Sequence, residues 1–96
     1  MNHPASDHSN IRIEQMNSLL AALQPTKIEI VDDSHKHAGH VGARGGGGHY
    51  RLLIVSTQFA SMPTLTRHRM VYSALGDMMK HEIHALAIAA YTPEEI

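Results

Sequence analysis

A glycine-rich polar stretch divides this chain of 96 residues into two parts. It runs from Asp33 to about His49 and holds six of the seven glycines, four of them consecutive from Gly45 to Gly48. Such a segment loses much conformational entropy on ordering and offers few side chains for packing. We therefore expect a mobile loop here, while the segments on either side fold together into one small domain.

The segment before the loop predicts a helix followed by a strand. From about Asn10, hydrophobic residues recur at three- and four-residue spacing, and Pro25 disfavours helix at the residue before it, so the helix should end near Leu23. Residues 1–9 are polar and predict a disordered tail, which leaves residues 10–96 as the folded domain. Residues 27–32 alternate between polar and apolar side chains, which is typical of a strand with one buried face.

The segment after the loop predicts strand, helix and strand. Residues 50–56 are almost continuously apolar, which indicates a strand covered on both faces. A helix is predicted from Pro63 or Thr64. Residues 83–91 predict the last strand, with His84 on the same face as Leu86 and Ile88. Alanines 85, 87 and 89 are predicted on the other face, where their small size would let a helix pack closely. The predicted apolar face of the helix consists of Leu65, His68, Val71, Tyr72, Leu75 and Met78 or Met79.

This order of elements predicts the fold class. It indicates a single small α+β domain with the element order α–β–β–α–β. The domain should have a three-stranded mixed sheet with both main helices on one face of that sheet. The first two strands should be antiparallel across the glycine-rich loop. Residues 92–95 (Thr-Pro-Glu-Glu) add a helix-start signal just before the last residue of the sequence.

Charge and hydropathy exclude some classes of function. Eight Lys and Arg against nine Asp and Glu give a formal net charge of -1, so no global basic field attracts nucleic acid. A local basic edge could still be built by Arg67, Arg69 and Lys80. The apolar runs are far shorter than a membrane span and the first ten residues lack a hydrophobic signal core, so we expect a cytoplasmic protein.

Histidine is the residue type in this sequence that could bind a transition metal. The chain has nine histidines and no cysteine, so any transition metal that it holds must be bound through imidazole. Three histidines cluster in the loop, and His81 and His84 flank the start of the last strand. The loop histidines could equally be solvated and the strand histidines structural. The loop cluster consists of His35, His37 and His40.

Enzymatic readings find little support in these patterns. Glu82 follows His81, but the second histidine comes one residue too early for a metalloprotease helix and the segment predicts a strand. The glycine run lacks the Gly-Lys-Ser/Thr ending of a phosphate loop. With no other acid–base or nucleophile constellation, we expect a protein that is not an enzyme.

Several short segments resemble the BolA family, in the same order and over about residues 10–96. Arg67-His68-Arg69 followed by Ile83-His84-Ala85-Leu86 is the most specific pair. The other matching segments are residues 33–37 (Asp-Ser-His-Lys-His), 49–51 (His-Tyr-Arg), 54–56 (Ile-Val-Ser), Phe59, 70–72 (Met-Val-Tyr) and 92–94 (Thr-Pro-Glu).

The resemblance implies a fold similar to a class II KH domain and a partnership with a monothiol glutaredoxin in iron–sulfur cluster trafficking or iron sensing. In that family the two proteins share a [2Fe–2S] cluster, to which the glutaredoxin side gives a cysteine and a glutathione thiolate. The BolA side gives a histidine from the last strand and a His or Cys from the loop. The matching residues are His84 and His37, with His40 as the fallback, whereas His49 and His81 are expected to be dispensable.

The alternative reading is a DNA-binding transcriptional regulator, which the family is also proposed to include. The KH-like fold favours it, and Arg67, Arg69 and Lys80 would supply the basic edge. The net charge of -1 and the lack of a Gly-X-X-Gly clamp between two helices speak against it. In either case the chain alone is expected to be a monomer or a weak homodimer.

Overall fold

The computed structural model describes residues 4–34 and 47–96. The mobility predicted for the loop, and the positions of His35, His37 and His40, concern residues outside these ranges. Single 3-10 turns follow α1, β2 and β3, at Ala21–Leu23, Thr57–Phe59 and Pro93–Glu95. The main elements are α1 (Pro4–Leu20), β1 (Lys27–Asp32), β2 (Gly48–Val55), α2 (Thr64–Leu75), α3 (Met78–His81) and β3 (Ile83–Tyr91).

The sheet has three strands in the order β1-β2-β3. β1 and β2 are antiparallel, with Ile28 opposite Ile54, and β2 and β3 are parallel, with Leu52 opposite Ile88. The parallel pair needs a long crossover, which α2 and α3 provide. The predicted α+β class, the mixed sheet and the antiparallel first pair are confirmed.

One hydrophobic core joins the two long helices to one face of the sheet, as predicted. Met16 and Leu20 of α1 and Val71 and Leu75 of α2 meet the side chains of β2 there. Phe59, from the turn after β2, is fully buried in the same core. The core residues of β2 are Tyr50, Leu52 and Ile54.

The opposite face of the sheet, which we call the open face, corrects two predictions. β2 is not covered on both faces, because Arg51 is exposed and Leu53 is only half-buried. Ala85, Ala87 and Ala89 of β3 also lie on the open face, whereas both described long helices pack on the other one. Two helices suffice to cover only one face of three strands, and small alanine side chains leave little apolar surface in water. Besides Arg51 and Leu53, the open face carries Glu29, Val31, Ala85, Ala87 and Ala89.

The ends and faces of the helices differ from prediction in three ways. α1 begins at Pro4 rather than near Asn10, because a proline fits the first helical turn, where its missing N–H is not needed. Gly76 has a φ of 56° and ends α2, so Met78 belongs to the separate helix α3. Leu65 and Tyr72 are exposed, because the face of α2 that packs on the core consists of Met70, Val71, Ala74 and Leu75.

No helix within the described residues has the length and apolar character that crossing a bilayer requires.

Candidate functional site

Two histidines lie side by side where β2 and β3 begin. His49 is the second residue of β2, and His84 is the second residue of β3. The centroids of their rings are 5.0 Å apart, with 44° between the ring planes. Because β2 and β3 are parallel neighbours, their first residues meet at one edge of the sheet.

An irregularity in the sheet places His84 next to His49. Gly48 pairs with Ile83, but His49 pairs with Ala85, so His84 is an extra residue in β3. Such a bulge interrupts the alternation of side chains between the two faces. Ile83 and Leu86, three positions apart, consequently both contact the core.

The bulge overturns the predicted face of His84. Strict alternation would put His84 on the core side with Leu86 and Ile88, but His84 is exposed and its ring contacts that of His49. His49 itself lies on β2 between the buried Gly48 and Tyr50 and is half-buried. The structure therefore gives an exposed imidazole on a strand and a second, more enclosed imidazole beside it.

Backbone hydrogen bonds hold both strands at this point. The N–H of His49 donates to Oγ of Ser34 over 2.9 Å, and its carbonyl accepts from the N–H of Asp33 over 2.7 Å. The N–H of Gly48 donates to the carbonyl of Glu82, two residues before His84, over 2.9 Å. The start of β2 is thus tied to the end of β1 on one side and to the start of β3 on the other.

The last two glycines of the glycine run have steric roles. A Cβ atom at Gly47 would lie 2.9 Å from Cβ of His84 and 3.1 Å from its backbone nitrogen. A Cβ atom at Gly48 would lie 2.5 Å from the ring of Tyr50. Only glycine lets the backbone pass this closely, so the end of the loop is in direct contact with His84.

An ion pair between the exposed Arg51 and the largely buried Asp33 lies next to the histidines on the open face. Arg51 donates from Nε and Nη2 to the carboxylate of Asp33, whose side chain is only 13% exposed. Both residues line a shallow cavity together with His49 and Ala85. The ion pair fixes the end of β1 against β2, directly beside the His49 ring.

Only one of the three predicted metal ligands lies within the described residues. His84 is in place, whereas His37 and His40 lie outside the described ranges. Within those ranges, no three His, Asp or Glu side chains are grouped closely enough to hold a metal ion. His81 lies in α3 and is exposed. A metal centre at His84 therefore requires further ligands from the loop or from another molecule.

The three predicted basic residues do not behave alike. Arg69 and Lys80 are exposed, and Lys80 Nζ is 3.6 Å from Oδ1 of Asp77. The Arg67 side chain is only 11% exposed and its guanidinium donates to the carbonyl oxygens of Met62 and Ala90 and to both carboxylate oxygens of Glu95. These contacts occupy most of its N–H groups, and the guanidinium lies 5.9 Å from the ring centroid of Phe59.

The pairing of Arg67 with Glu95 closes the end of the described chain onto α2. Glu95 Oε1 also accepts from the N–H of Thr92 over 2.8 Å, which forms a capping box with Thr92. The hydrogen bonds from Arg67 and from Thr92 lower the pKa of Glu95 from 4.5 to about 2. Arg67 therefore holds the end of the described chain against α2 through these hydrogen bonds.

This low pKa predicts a pH-dependent stability. Because the pKa of Glu95 is lower in the folded chain, ionised Glu95 stabilises the fold above pH 4.5, and this stabilisation is lost as the pH falls towards 2. We expect Glu95→Gln to lower the melting temperature at neutral pH and to have little effect near pH 2. Thermal unfolding followed by circular dichroism at both pH values measures this. Glu94→Gln makes the same change of charge at the exposed neighbour, and equal losses in the two variants would contradict the assignment.

Sequence reasoning missed His49 and the Asp33–Arg51 pair. His49 stands at the end of the glycine run and next to Tyr50, but its partner follows far along the chain. Only the parallel register of β2 and β3, with its extra residue, brings the two rings together. No local pattern in the sequence encodes that register.

Comparison with known proteins agrees with this fold. The family model described as "BolA-like protein" matches residues 19–95. The DNA-binding transcriptional regulator BolA of Escherichia coli is 39% identical over 84 residues, which cover 88% of this chain and 75% of the relative. The SufE-like protein 1 of Arabidopsis thaliana is 42% identical over 79 residues, but the match spans only 21% of that longer protein.

Solved structures give the same result. The BolA domain of SufE1 from Arabidopsis thaliana superposes with a TM-score of 0.77 at 38% identity, covering 88% of this chain and 95% of that domain. The solution structure of BolA1 from Mus musculus gives a TM-score of 0.71 at 36% identity, covering 85% of this chain and 65% of that one. The family match, the relatives and the shared architecture together show that this chain belongs to the BolA family.

Proposed function

We propose that this chain is a non-enzymatic adaptor that shares a [2Fe–2S] cluster with a monothiol glutaredoxin, in cluster trafficking or iron sensing. The single observation that carries the proposal is His84, an exposed imidazole held on a strand at the sheet edge where the glycine-rich loop ends. Exposure lets a second molecule reach the ring, and the strand fixes where the ring lies.

The donor set of the chain suits a cluster that is shared between two proteins. With no cysteine in the chain, its contribution consists of neutral imidazoles. Two imidazoles on one iron, as in Rieske centres, raise the reduction potential above that of an all-thiolate cluster. The remaining ligands would come from a cysteine of the glutaredoxin and from glutathione, so the partner is required for the cluster to form.

The second ligand from this chain is assigned by resemblance to His37, with His40 as the fallback. One structural fact supports a ligand from the loop: its last described residue before β2, Gly47, packs against the backbone and Cβ of His84. The loop is therefore anchored at the ligand that it would have to join. A histidine elsewhere on the surface is not connected to His84 in this way.

Co-reconstitution tests the proposal. The chain and a monothiol glutaredoxin are mixed anaerobically with glutathione, ferrous iron and sulfide, separated by size exclusion, and examined by visible absorption and circular dichroism. We expect a coloured complex that contains both proteins, with a spectrum different from that of the glutaredoxin alone. If the chain elutes without colour and the glutaredoxin keeps its own spectrum, the adaptor proposal fails.

DNA binding is the second candidate, and one observation favours it. The relative from Escherichia coli is named a DNA-binding transcriptional regulator, and Arg69 and Lys80 are exposed here. Binding through these two residues would weaken steeply with salt, because phosphate contacts release counterions. Fluorescence anisotropy with duplex DNA across a salt series, using the parent and Arg69→Ala, separates this activity from cluster binding, which depends on iron and glutathione.

A further inference from the structure

We propose that β3 pairs edge to edge with β3 of a second copy of this chain, which makes a two-fold symmetric homodimer with one continuous sheet. The proposal rests on the open hydrogen-bonding edge of β3, on its lack of charge and on the symmetry of its residues. It goes beyond the proposed cluster function and does not depend on it.

The backbone of β3 is free to pair on one side. Within the described residues, β3 pairs only with β2, so no strand lies along its other edge. The carbonyl of Tyr91 accepts from the N–H of Ser56 on the β2 side over 2.9 Å. Because successive residues direct their backbone groups to opposite sides, those of Ala90 and of every second residue before it point away from β2. The Ala90 carbonyl agrees with this direction, since it accepts from Arg67 over 3.0 Å.

The two edge strands of the sheet differ in charge. β1 carries Lys27, Glu29 and Asp32, whereas the nine residues of β3 include no Asp, Glu, Lys, Arg, Pro or Gly. Charged side chains and prolines are the usual means by which proteins prevent an edge strand from pairing with another chain. The β1 edge is therefore protected, and the β3 edge is not. The formal net charge of -1 also creates little repulsion between two copies.

Pairing at β3 would cover apolar side chains that the single chain leaves partly in water. The core residues of β2, the central strand, are no more than 3% exposed. Leu86 and Ile88, which face the same core from β3, are only half-buried, and Ala85 and Ala87 on the open face are exposed. A strand added beside β3 removes part of this surface from water, which favours pairing.

The residues of β3 fit a second copy of the same strand. Its regular stretch is limited by the bulge at His84 and by the Ala90 carbonyl, which already accepts a hydrogen bond. Ala87 is the midpoint of that stretch. When two copies pair antiparallel about Ala87, Leu86 of one meets Ile88 of the other on the core side, and alanines meet on the open face. Similar residues therefore face each other at each position, as a two-fold interface requires.

This register also satisfies the outward backbone groups. Leu86 of one copy and Ile88 of the other exchange hydrogen bonds, while the two Ala87 residues face each other as a pair without hydrogen bonds. The paired stretch is short, so it should bury less than the about 1,200 Å² of a typical stable interface. We therefore expect a weak dimer that depends on protein concentration.

Sedimentation velocity of the chain alone, without iron, measures this association. We expect the average mass to rise with concentration, and the amide hydrogens of Leu86 and Ile88 to exchange more slowly over the same range. Ala87→Lys should weaken association at least about tenfold, because it places two like charges opposite each other at the centre of the pairing. Ala22→Lys makes the same change at an exposed alanine in the turn after α1 and should leave association unchanged.

The absence of cysteine from the chain allows a second test by cross-linking. The Cα atoms of directly opposed residues without hydrogen bonds are about 4.5 Å apart, which is within the range of a disulfide. Under mild oxidation, Ala87→Cys should therefore form a linked dimer at least about tenfold faster than Val31→Cys, which places an exposed thiol on β1.

Three results would overturn the proposal. The chain could stay monomeric at the concentrations of an NMR sample, Ala87→Lys could associate as tightly as its parent, or the two cysteine variants could cross-link at equal rates. None of these measurements involves iron or a glutaredoxin, so the cluster proposal stands or falls separately.

Discussion

Replacing His84 with alanine is expected to abolish the visible spectrum of the complex with a glutaredoxin while leaving the chain folded. The side chain is exposed, so its removal creates no cavity in the core. In the proposed complex, the iron atom would lose the ligand that β3 provides. Visible circular dichroism of the reconstituted complex measures the loss, and far-ultraviolet circular dichroism checks the fold.

Two comparisons sharpen this result. His81→Ala removes an exposed imidazole three residues away and should leave the spectrum unchanged. His37→Ala should have a weaker effect than His84→Ala, because His35 and His40 are close to it in the sequence and can take its place. A spectrum that survives in the His84→Ala complex would refute the ligand assignment and leave an interaction domain without a cluster.

The largest loss of stability is expected for Phe59→Ala. Phe59 is 0% exposed and packs in the core shared by the helices and the sheet. Truncating a buried phenylalanine to alanine costs about 3 to 5 kcal/mol, which combines lost transfer free energy with a cavity. Since the free energy of unfolding of a small domain is about 5 to 15 kcal/mol, the variant should be close to unfolding at physiological temperature.

Urea unfolding followed by circular dichroism checks this expectation. Leu65→Ala is the control, because Leu65 is a large apolar residue that is 61% exposed. Its substitution should change the free energy of unfolding by no more than about 0.5 kcal/mol. Similar values for the two variants would mean that Phe59 does not anchor the core as its burial indicates.

The elements that could be predicted from the sequence are those with local signals. Pro25 limits α1, the alternation of residues 27–32 gives β1, and the first turn of α2 begins after Pro63, as expected. The third strand runs from Ile83 to Tyr91, the bounds that its pattern indicated. In each case neighbouring residues determine the outcome, so no knowledge of the tertiary structure is needed.

The features that could not be predicted depend on residues far apart in the chain. The position of His84 follows from a bulge in its pairing with β2, which no alternation within β3 reveals. The inward direction of Arg67 follows from Glu95 and from the Ala90 carbonyl, both beyond α2. The sequence predicts Arg67 as part of an exposed basic edge, because a sequence shows the charge of a side chain but not the residue with which it pairs.

The parallel pairing of β2 and β3 has a consequence for how the chain folds. Parallel neighbours cannot form a local hairpin, so the edge that carries His49 and His84 forms only after α2 and α3 have crossed over the sheet. Contacts between residues so distant in sequence tend to form late and slowly. A cluster held by His84 and by a histidine of the loop before β2, as proposed, would therefore join parts of the chain that separate early in unfolding. It would slow unfolding while leaving the rate of folding almost unchanged.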